Sequence, residues 1–505
     1  MDKLDGAPLL RRFNAANARK SLWLDVLQQS YQYALPQREE FYGNQREGQK
    51  KNEEVFDSTA INGLQQYASR MQATLMPPWR KWAVLTPGQE VPEEEQDAVK
   101  EGLEKATDVL FTTFNHSPLS TQAHEAILEC GVSTGALLFQ EGDADQPFNI
   151  TAIPLAQLVP EEGPDGTIET VYRQWEVAGR LIERQWPDAK LSGTLQQSIK
   201  SKPDTKHTII EGTIFNPKTK KYDYRVMIKK GMEIIVEREE DVSPWIVFRT
   251  SVMPGEILGR GPIMQALPDI LTANKVVEFT LRRAAIDIGG IYTHVNDGSI
   301  NPYTIQLVPN SIIPVGSNTN ENPTLRRLDT GNGIDVSQIV LADLRANIND
   351  ALLSNQLGPV EGPTKSATEI SIRQQELVQT AGATFGRLQT ELLEKVVRRG
   401  VYILQRLGKI PEFKVDGKEV TLRYESPLAR AQDAEEIQNI TRWIELGGAL
   451  GPEIFMGAAK VEDIPKELGE LLGVPASLSR DDAEKEQIMQ MVAQLIAQQQ
   501  MPQEG

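Results

Sequence analysis

Gly131-Val132-Ser133-Thr134-Gly135 has the spacing of a nucleophile elbow, in which G-x-S-x-G lifts a serine hydroxyl towards a carbonyl. That device needs a strand before the serine and a helix after it. Here a helical pattern over 123–130 precedes and an apolar, strand-like run over 136–140 follows. The spacing predicts a helix-to-strand turn with Ser133 in a structural role. Gly259-Arg260-Gly261 lacks the third glycine of a dinucleotide loop, and no G-x-x-x-x-G-K-[ST] occurs. The histidines His116, His124, His207 and His294 are not at metal-ligand spacing, and Asp143 with Asp145 lacks the remaining ligands of a calcium loop. Cys130 is the single cysteine, which excludes an intrachain disulfide and reads as a small buried apolar residue. No catalytic constellation, cofactor or metal is expected.

Charge narrows the partners. The 505 residues carry 53 Lys and Arg against 70 Asp and Glu, a net −17. Affinity for duplex DNA comes largely from cations that release its counterions, so a protein that grips DNA throughout should be basic. This one would repel a polyanion on average, which argues against a conventional DNA-binding module and leaves open a protein that DNA passes without sticking. Hydrophobic residues at 40% and charged residues at 24% predict a folded chain with room for several cores. No apolar stretch is long enough to span a bilayer, and the first residues have no apolar signal region, so neither a membrane partner nor secretion is expected.

The elements that would position these residues fall into blocks. Residues 14–130 read mainly as helices: one over 18–35 stopped by Pro36, one over 58–75 ended by Pro77-Pro78, and one opening at Pro92 with Glu93, Glu94 and Glu95 in its first turn. Residues 38–54 read as an exposed charged loop. From 136 to 253 the pattern changes to strands separated by turn residues. The segments 217–221 and 229–231 read as hairpin tips of a three-strand meander, their lysines as solvated turn residues. A helix is expected over 261–288, and another from 335 to 357 with Val336, Val340, Leu344, Ile348 and Leu352 four apart. The Pro-, Asn- and Gly-rich 292–329 between them reads as a compact insert at the far end of an antiparallel stalk. A Gly/Pro-broken loop then opens into a long helix capped by Ser366 and Glu369, whose stripe of Leu377, Ala381, Phe385, Leu388, Leu392, Val396, Ile403 and Leu407 would make a rod of roughly 60 Å. A short strand over 420–424 follows. The Gln-rich segment from Ser479, with the apolar face Ile488, Met491, Val492, Leu495 and Ile496, is marginal alone and favours an oligomer.

Several stretches resemble one family, the head-to-tail connector or portal proteins of short-tailed bacteriophages. They are Val55-Phe56-Asp57-Ser58-Thr59-Ala60 with Ala68-Ser69 and Leu75-Met76-Pro77-Pro78 before Trp82; Pro254-Gly255-Glu256-Ile257-Leu258-Gly259-Arg260-Gly261-Pro262 running on to Ala266-Leu267-Pro268-Asp269-Ile270; Ser366-Ala367-Thr368-Glu369; Tyr424-Glu425-Ser426-Pro427-Leu428-Ala429-Arg430-Ala431-Gln432; and Leu472-Gly473-Val474-Pro475. They stand in family order across nearly the whole chain. Leu258 departs from an expected aromatic.

The resemblance implies an α+β portal fold, predominantly helical with a β-rich wing. Its parts would be a wing over 1–260 (helical 14–130, β-rich 136–253), stem helices 261–288 and 335–356, and a clip over 289–334. A tunnel loop over 357–366, a long helix 367–408, a wing return strand 409–427, a crown 428–478 and a barrel helix 479–505 would complete it. It implies a homododecameric ring at one capsid vertex of the virion, assembled in the host cytoplasm. Double-stranded DNA would pass through it without sequence specificity, packaged by the terminase motor and later ejected. The terminase large subunit, major capsid and scaffolding proteins and a tail adaptor are the implied partners, with no enzymatic activity. The candidate channel residues are Gly358, Glu361, Gly362, Thr364, Lys365 and Ser366 on the tunnel loop, Lys365 being otherwise a solvated loop charge, with Lys275, Arg282, Arg283 and Arg345 as stem candidates. A capsid-associated or ejection protein without a pore is the alternative.

Overall fold

The computed structural model describes residues 6–353 except 39–40, 42–47, 49, 52, 79, 89–90, 290–291, 295–324 and 328–333, and then 385–413, 415, 420–424, 427–449, 464, 468–469 and 472. The chain divides into two compact units: the first takes residues 1–21, 68–260 and 359–505, the second 22–67 and 261–358.

In the first unit, α1 (Ala7–Ser21) leads to a sheet-rich body. The expected helix over 18–35 is instead broken at Leu22 and Trp23, so that α2 (Leu24–Ala34) is a separate helix. The helix α3 (Thr59–Leu75) is followed by a strand, β1 (Ala83–Pro87), inside the stretch expected to be mainly helical. β1 pairs antiparallel with β12 (Val420–Tyr424), a partner more than 300 residues away that local periodicity cannot report. Then come α4 (Glu93–Asn115) and α5 (Leu119–Val132), with Pro92 at the cap position of α4 rather than inside its first turn.

The strand block forms two sheets. β2 (Thr134–Glu141) lies between β3 (Phe148–Ala152) and β9 (Trp245–Arg249). β4 (Leu158–Glu162), β5 (Ile168–Ala178), β6 (Lys206–Asn216), β7 (Lys221–Ile228) and β8 (Glu233–Glu240) make a five-stranded antiparallel meander. The expected three-strand meander is its β6–β8 part. Two short helices, α6 (Gly179–Gln185) and α7 (Gly193–Ser201), interrupt the strands where only strands were expected.

These helices explain why the strands are apolar on both faces. Ile209, Val226 and Ile235 pack with Trp186, Leu195 and Ile199 on the α6–α7 side, while Ile210, Met227 and Ile234 pack with Leu9 and Phe13 of α1. Adjacent residues of one strand thus serve opposite cores, as the two-residue period requires. Inside this module the buried Glu211 accepts a hydrogen bond from the Tyr224 hydroxyl at 2.6 Å, and Trp186 Nε1–H donates to the same hydroxyl at 3.0 Å. Burial pushes the Glu211 carboxyl above the usual carboxylate range. Cys130 is buried as expected, and burial pushes its thiol up to about 12.

The expected long helix is described from Phe385. A π-helical turn, Gln389–Leu393, runs into α10 (Glu394–Arg406). Leu392, Val396 and Ile403 of the expected stripe are buried. The helix α11 (Pro427–Ala449) follows β12.

The second unit is helical, with α8 (Pro262–Gly289) and α9 (Ile334–Ala351) packed together. At 28 residues α8 is about 42 Å long, whereas α9 has 18. The ends of the insert between them pair antiparallel as β10 (Tyr292–His294) and β11 (Leu325–Arg327). α2 packs on α8, and Gly63 of α3 lies so close to α9 that a Cβ there would stand 2.6 Å from a Leu352 methyl. No described helix is long and apolar enough to cross a membrane.

Candidate functional site

The α8–α9 pair is positioned by the Val55–Ala60 motif. Asn274, projecting from α8, accepts hydrogen bonds from the backbone N–H groups of Phe56 (2.7 Å) and Asp57 (3.1 Å), and its amide donates to the Glu54 carbonyl at 2.9 Å. The Asp57 carboxylate then serves two helices. One oxygen accepts from the Thr59 N–H at 2.8 Å and caps α3; the other accepts from Arg345 of α9 through Nε (2.9 Å) and Nη2 (2.8 Å). Burial opposes ionisation of Asp57, but the hydrogen bonds from Thr59 and the Arg345 guanidinium outweigh it and hold the carboxyl below its usual range. One short motif therefore ties α3, α8 and α9 together. The sequence pattern places the helix start at Ser58; the Asp immediately before it is the local signal for a cap, but nothing local points to Asn274.

The basic candidates of the stem are engaged within the chain. Lys275 Nζ lies 2.8 Å from Glu278 Oε2 and Arg282 Nη2 lies 2.5 Å from Glu278 Oε1, one carboxylate on the same helix face serving both. The hydrogen bond from Lys275, with burial opposing and the charge of Arg282 assisting, holds Glu278 below its usual range. Arg345 is committed to Asp57. Arg283 is half-buried on α8. Gly358, Glu361, Gly362, Thr364, Lys365 and Ser366 lie outside the described residues, as do the N-terminal part of the long helix, most of the 289–334 insert and the Gln-rich segment from Ser479.

In the first unit the two glycine-containing motifs meet. Ser133, fully buried at the turn between α5 and β2, donates through Oγ to the Gly259 carbonyl at 2.7 Å, and the Gly259 N–H donates to Thr134 Oγ1 at 2.9 Å. A Cβ on Gly259 would stand 2.7 Å from the Ser133 carbonyl oxygen, so only glycine fits. The G-x-S-x-G serine thus has its proton directed at a backbone carbonyl, away from solvent, and the turn runs from helix to strand as expected. Around it, Gly255 turns the chain at φ +86°, Arg260 forks onto Glu256 (2.6 and 2.7 Å), and Arg249 donates through Nη1 to the Ile257 carbonyl at 3.0 Å. Arg249 also binds Glu391 of the π turn, Nη2 to Oε1 at 2.8 Å and backbone N–H to Oε2 at 2.9 Å.

Ser133→Ala is expected to destabilise the first unit by about 1–3 kcal/mol, because a buried carbonyl loses its donor. Gly259→Ala should cost at least as much through the clash. Urea unfolding of both variants checks this, and a Ser133→Ala midpoint equal to wild type would show that the bond is not worth making.

The profile of a family described as bacteriophage head to tail connecting protein matches residues 7–479. The chain is 24% identical over 477 residues to a probable portal protein of Bordetella phage BPP-1, covering 88% of this chain and 84% of that one. It is 21% identical over 409 residues to the portal protein of Escherichia phage T7, covering 77% and 74%. A chain from a virion of a native gene transfer agent particle aligns over 86% of this chain and 96% of its own, at 12% identity and a TM-score of 0.38. The chain belongs to the bacteriophage head-to-tail connecting protein family. It is a structural protein of the phage virion with a connector role.

Proposed function

We propose that this protein forms the portal ring of a short-tailed phage, the passage through which double-stranded DNA enters the capsid under a terminase motor and later leaves through the tail. The observation that carries the reading is the family match over residues 7–479. Two physical features support it. The net −17 disfavours a lumen that would clamp DNA by its phosphates. In the α8–α9 pair, Lys275, Arg282 and Arg345 are already matched to Glu278 and Asp57, which weakens their hold on a passing polyanion while leaving the helices polar. The protein acts in this reading by shape and charge, without a chemical step. Negative-stain images of the purified full chain test it: rings with a central hole are expected, and uniform particles without a hole would overturn it in favour of a pore-less capsid protein.

A further inference from the structure

Charge along this chain is unevenly placed. Residues 179–231 hold twelve Lys or Arg against five Asp or Glu, a net +7 inside a protein of net −17, so the remainder carries −24. Much of that excess gathers at one end of the five-stranded sheet. Ala178 at the end of β5 pairs with Lys206 at the start of β6, and the Lys229 N–H donates to the Thr208 carbonyl, which sets the β7–β8 tip beside the start of β6. The Arg180 N–H donates to the Pro203 carbonyl, which brings the end of α7 to the same place. Lys200, Lys202, Lys206, Lys229 and Lys230 are all exposed there.

The carboxylates of this end are occupied. Asp204 is paired with Arg180 at 2.8 Å and Glu176 lies 4.0 Å from Lys206. Glu233 accepts from the Ser192 N–H and hydroxyl at 2.7 and 2.9 Å. Among the described residues Lys200, Lys202, Lys229 and Lys230 have no carboxylate within ion-pairing distance, and the one side-chain contact of Lys229 is with the neutral Gln174 amide at 2.9 Å. These lysines converge on strand ends whose spacing is fixed by the sheet.

We propose that this end of the sheet is a contact surface for the phosphate backbone of duplex DNA, separate from the α8–α9 helices. Lysines act as point charges, so recognition would be electrostatic and indifferent to sequence. An anionic backbone held at several points releases counterions and is gripped in a salt-dependent way. Lys275, Arg282 and Arg345 of α8 and α9 are matched by carboxylates, whereas these four are not. The choice of duplex DNA among polyanions rests on the connector reading above; the charge pattern does not.

The test uses the full-length protein and a fluorescent duplex of arbitrary sequence, with anisotropy read across a salt series. Lys200→Gln, Lys202→Gln, Lys229→Gln and Lys230→Gln combined should weaken binding at low salt by at least about tenfold. They should also reduce the slope of log K against log salt by about 3–4, roughly one for each phosphate no longer neutralised. The control is Arg184→Gln, Lys190→Gln, Lys218→Gln and Lys220→Gln combined, equal in charge removed and also exposed; it should change the slope by less than half as much. Equal losses in the two variants, or an unchanged slope in the first, would overturn the surface, as would a wild-type protein that binds polyglutamate but not the duplex. Unchanged thermal melting shows that the variants fold. Images of the same samples separate the two readings: hole-less particles with lysine-dependent binding would remove the ring and keep the surface, and rings without such binding would do the reverse.

Discussion

Glu391→Ala is expected to destabilise the first unit by about 3–5 kcal/mol, the cost of leaving a buried charge without its partner. Arg249 is 2% exposed, and its guanidinium reaches Glu391, the Ile257 carbonyl and, through Nη2, the Gly166 carbonyl at 3.2 Å. With Glu391 gone the two carbonyls remain, but neither neutralises the charge, and the Arg249 backbone N–H also loses its acceptor. The π turn that presents Glu391 inserts one extra residue into the helical ladder, a geometry that needs support from outside the helix. Replacing both partners, Arg249→Met with Glu391→Leu, should recover part of the loss, since apolar substitutes of similar volume avoid burying any charge. Urea unfolding of the singles and the double gives the coupling directly. Strict additivity would mean that the two side chains stabilise the fold independently, contrary to the geometry.

Raising the pH from 7 to 10.5 is expected to stabilise the first unit through Lys20. Lys20 is 6% exposed near the end of α1, and its ammonium donates to the Leu155 and Ala156 carbonyls at 2.7 Å each. Burial pushes the amine down to about 7 from an ordinary 10.5, although the charge of Glu129 opposes the shift. Between those values the unfolded chain holds the proton more tightly than the folded one, so stability rises with pH. It is lost as pH falls through the folded value, where the buried amine must charge. Over the full window the effect is on the order of 5 kcal/mol. Lys20→Met removes it. The difference in unfolding free energy between wild type and Lys20→Met should therefore grow in favour of wild type as pH rises from 7 to 10, with other groups cancelling. Parallel pH profiles would show that the amine titrates normally.

Both devices join segments far apart in the chain, and that separates what is legible in the sequence from what is not. The motif at 254–262 can be recognised as a pattern, yet its neighbours Ser133 and Thr134 give no local sign of meeting it, and neither does Glu391 of meeting Arg249. The G-x-S-x-G stretch can be excluded as an elbow because the order of elements is a local property, and α5 followed by β2 agrees with it. The lysines of the 217–221 and 229–231 tips, taken one turn at a time, read as solvated. Only the pairing of β5, β6 and β7 shows that Lys202, Lys206, Lys229 and Lys230 share one end of a sheet while Lys218 and Lys220 lie at the other.

What short-range physics controls is legible along the chain. The helix at 262–289, the strand at 420–424, the β6–β8 meander and the burial of Cys130 follow from period and composition, and the resemblance to a connector family from its motifs and their order. The remaining features depend on packing between distant segments. β1 exists because β12 pairs with it, the break at Leu22 and Trp23 separates α1 from α2, and α6 and α7 fold where they can cover Ile209, Val226 and Ile235. Asn274, Asp57, Lys20 and Arg249 acquire their roles from partners that the chain brings close only once folded. The reason is physical: a periodic pattern reports which face of an element is apolar, whereas the partner of a buried charge or the neighbour of an edge is set by chain packing over hundreds of residues.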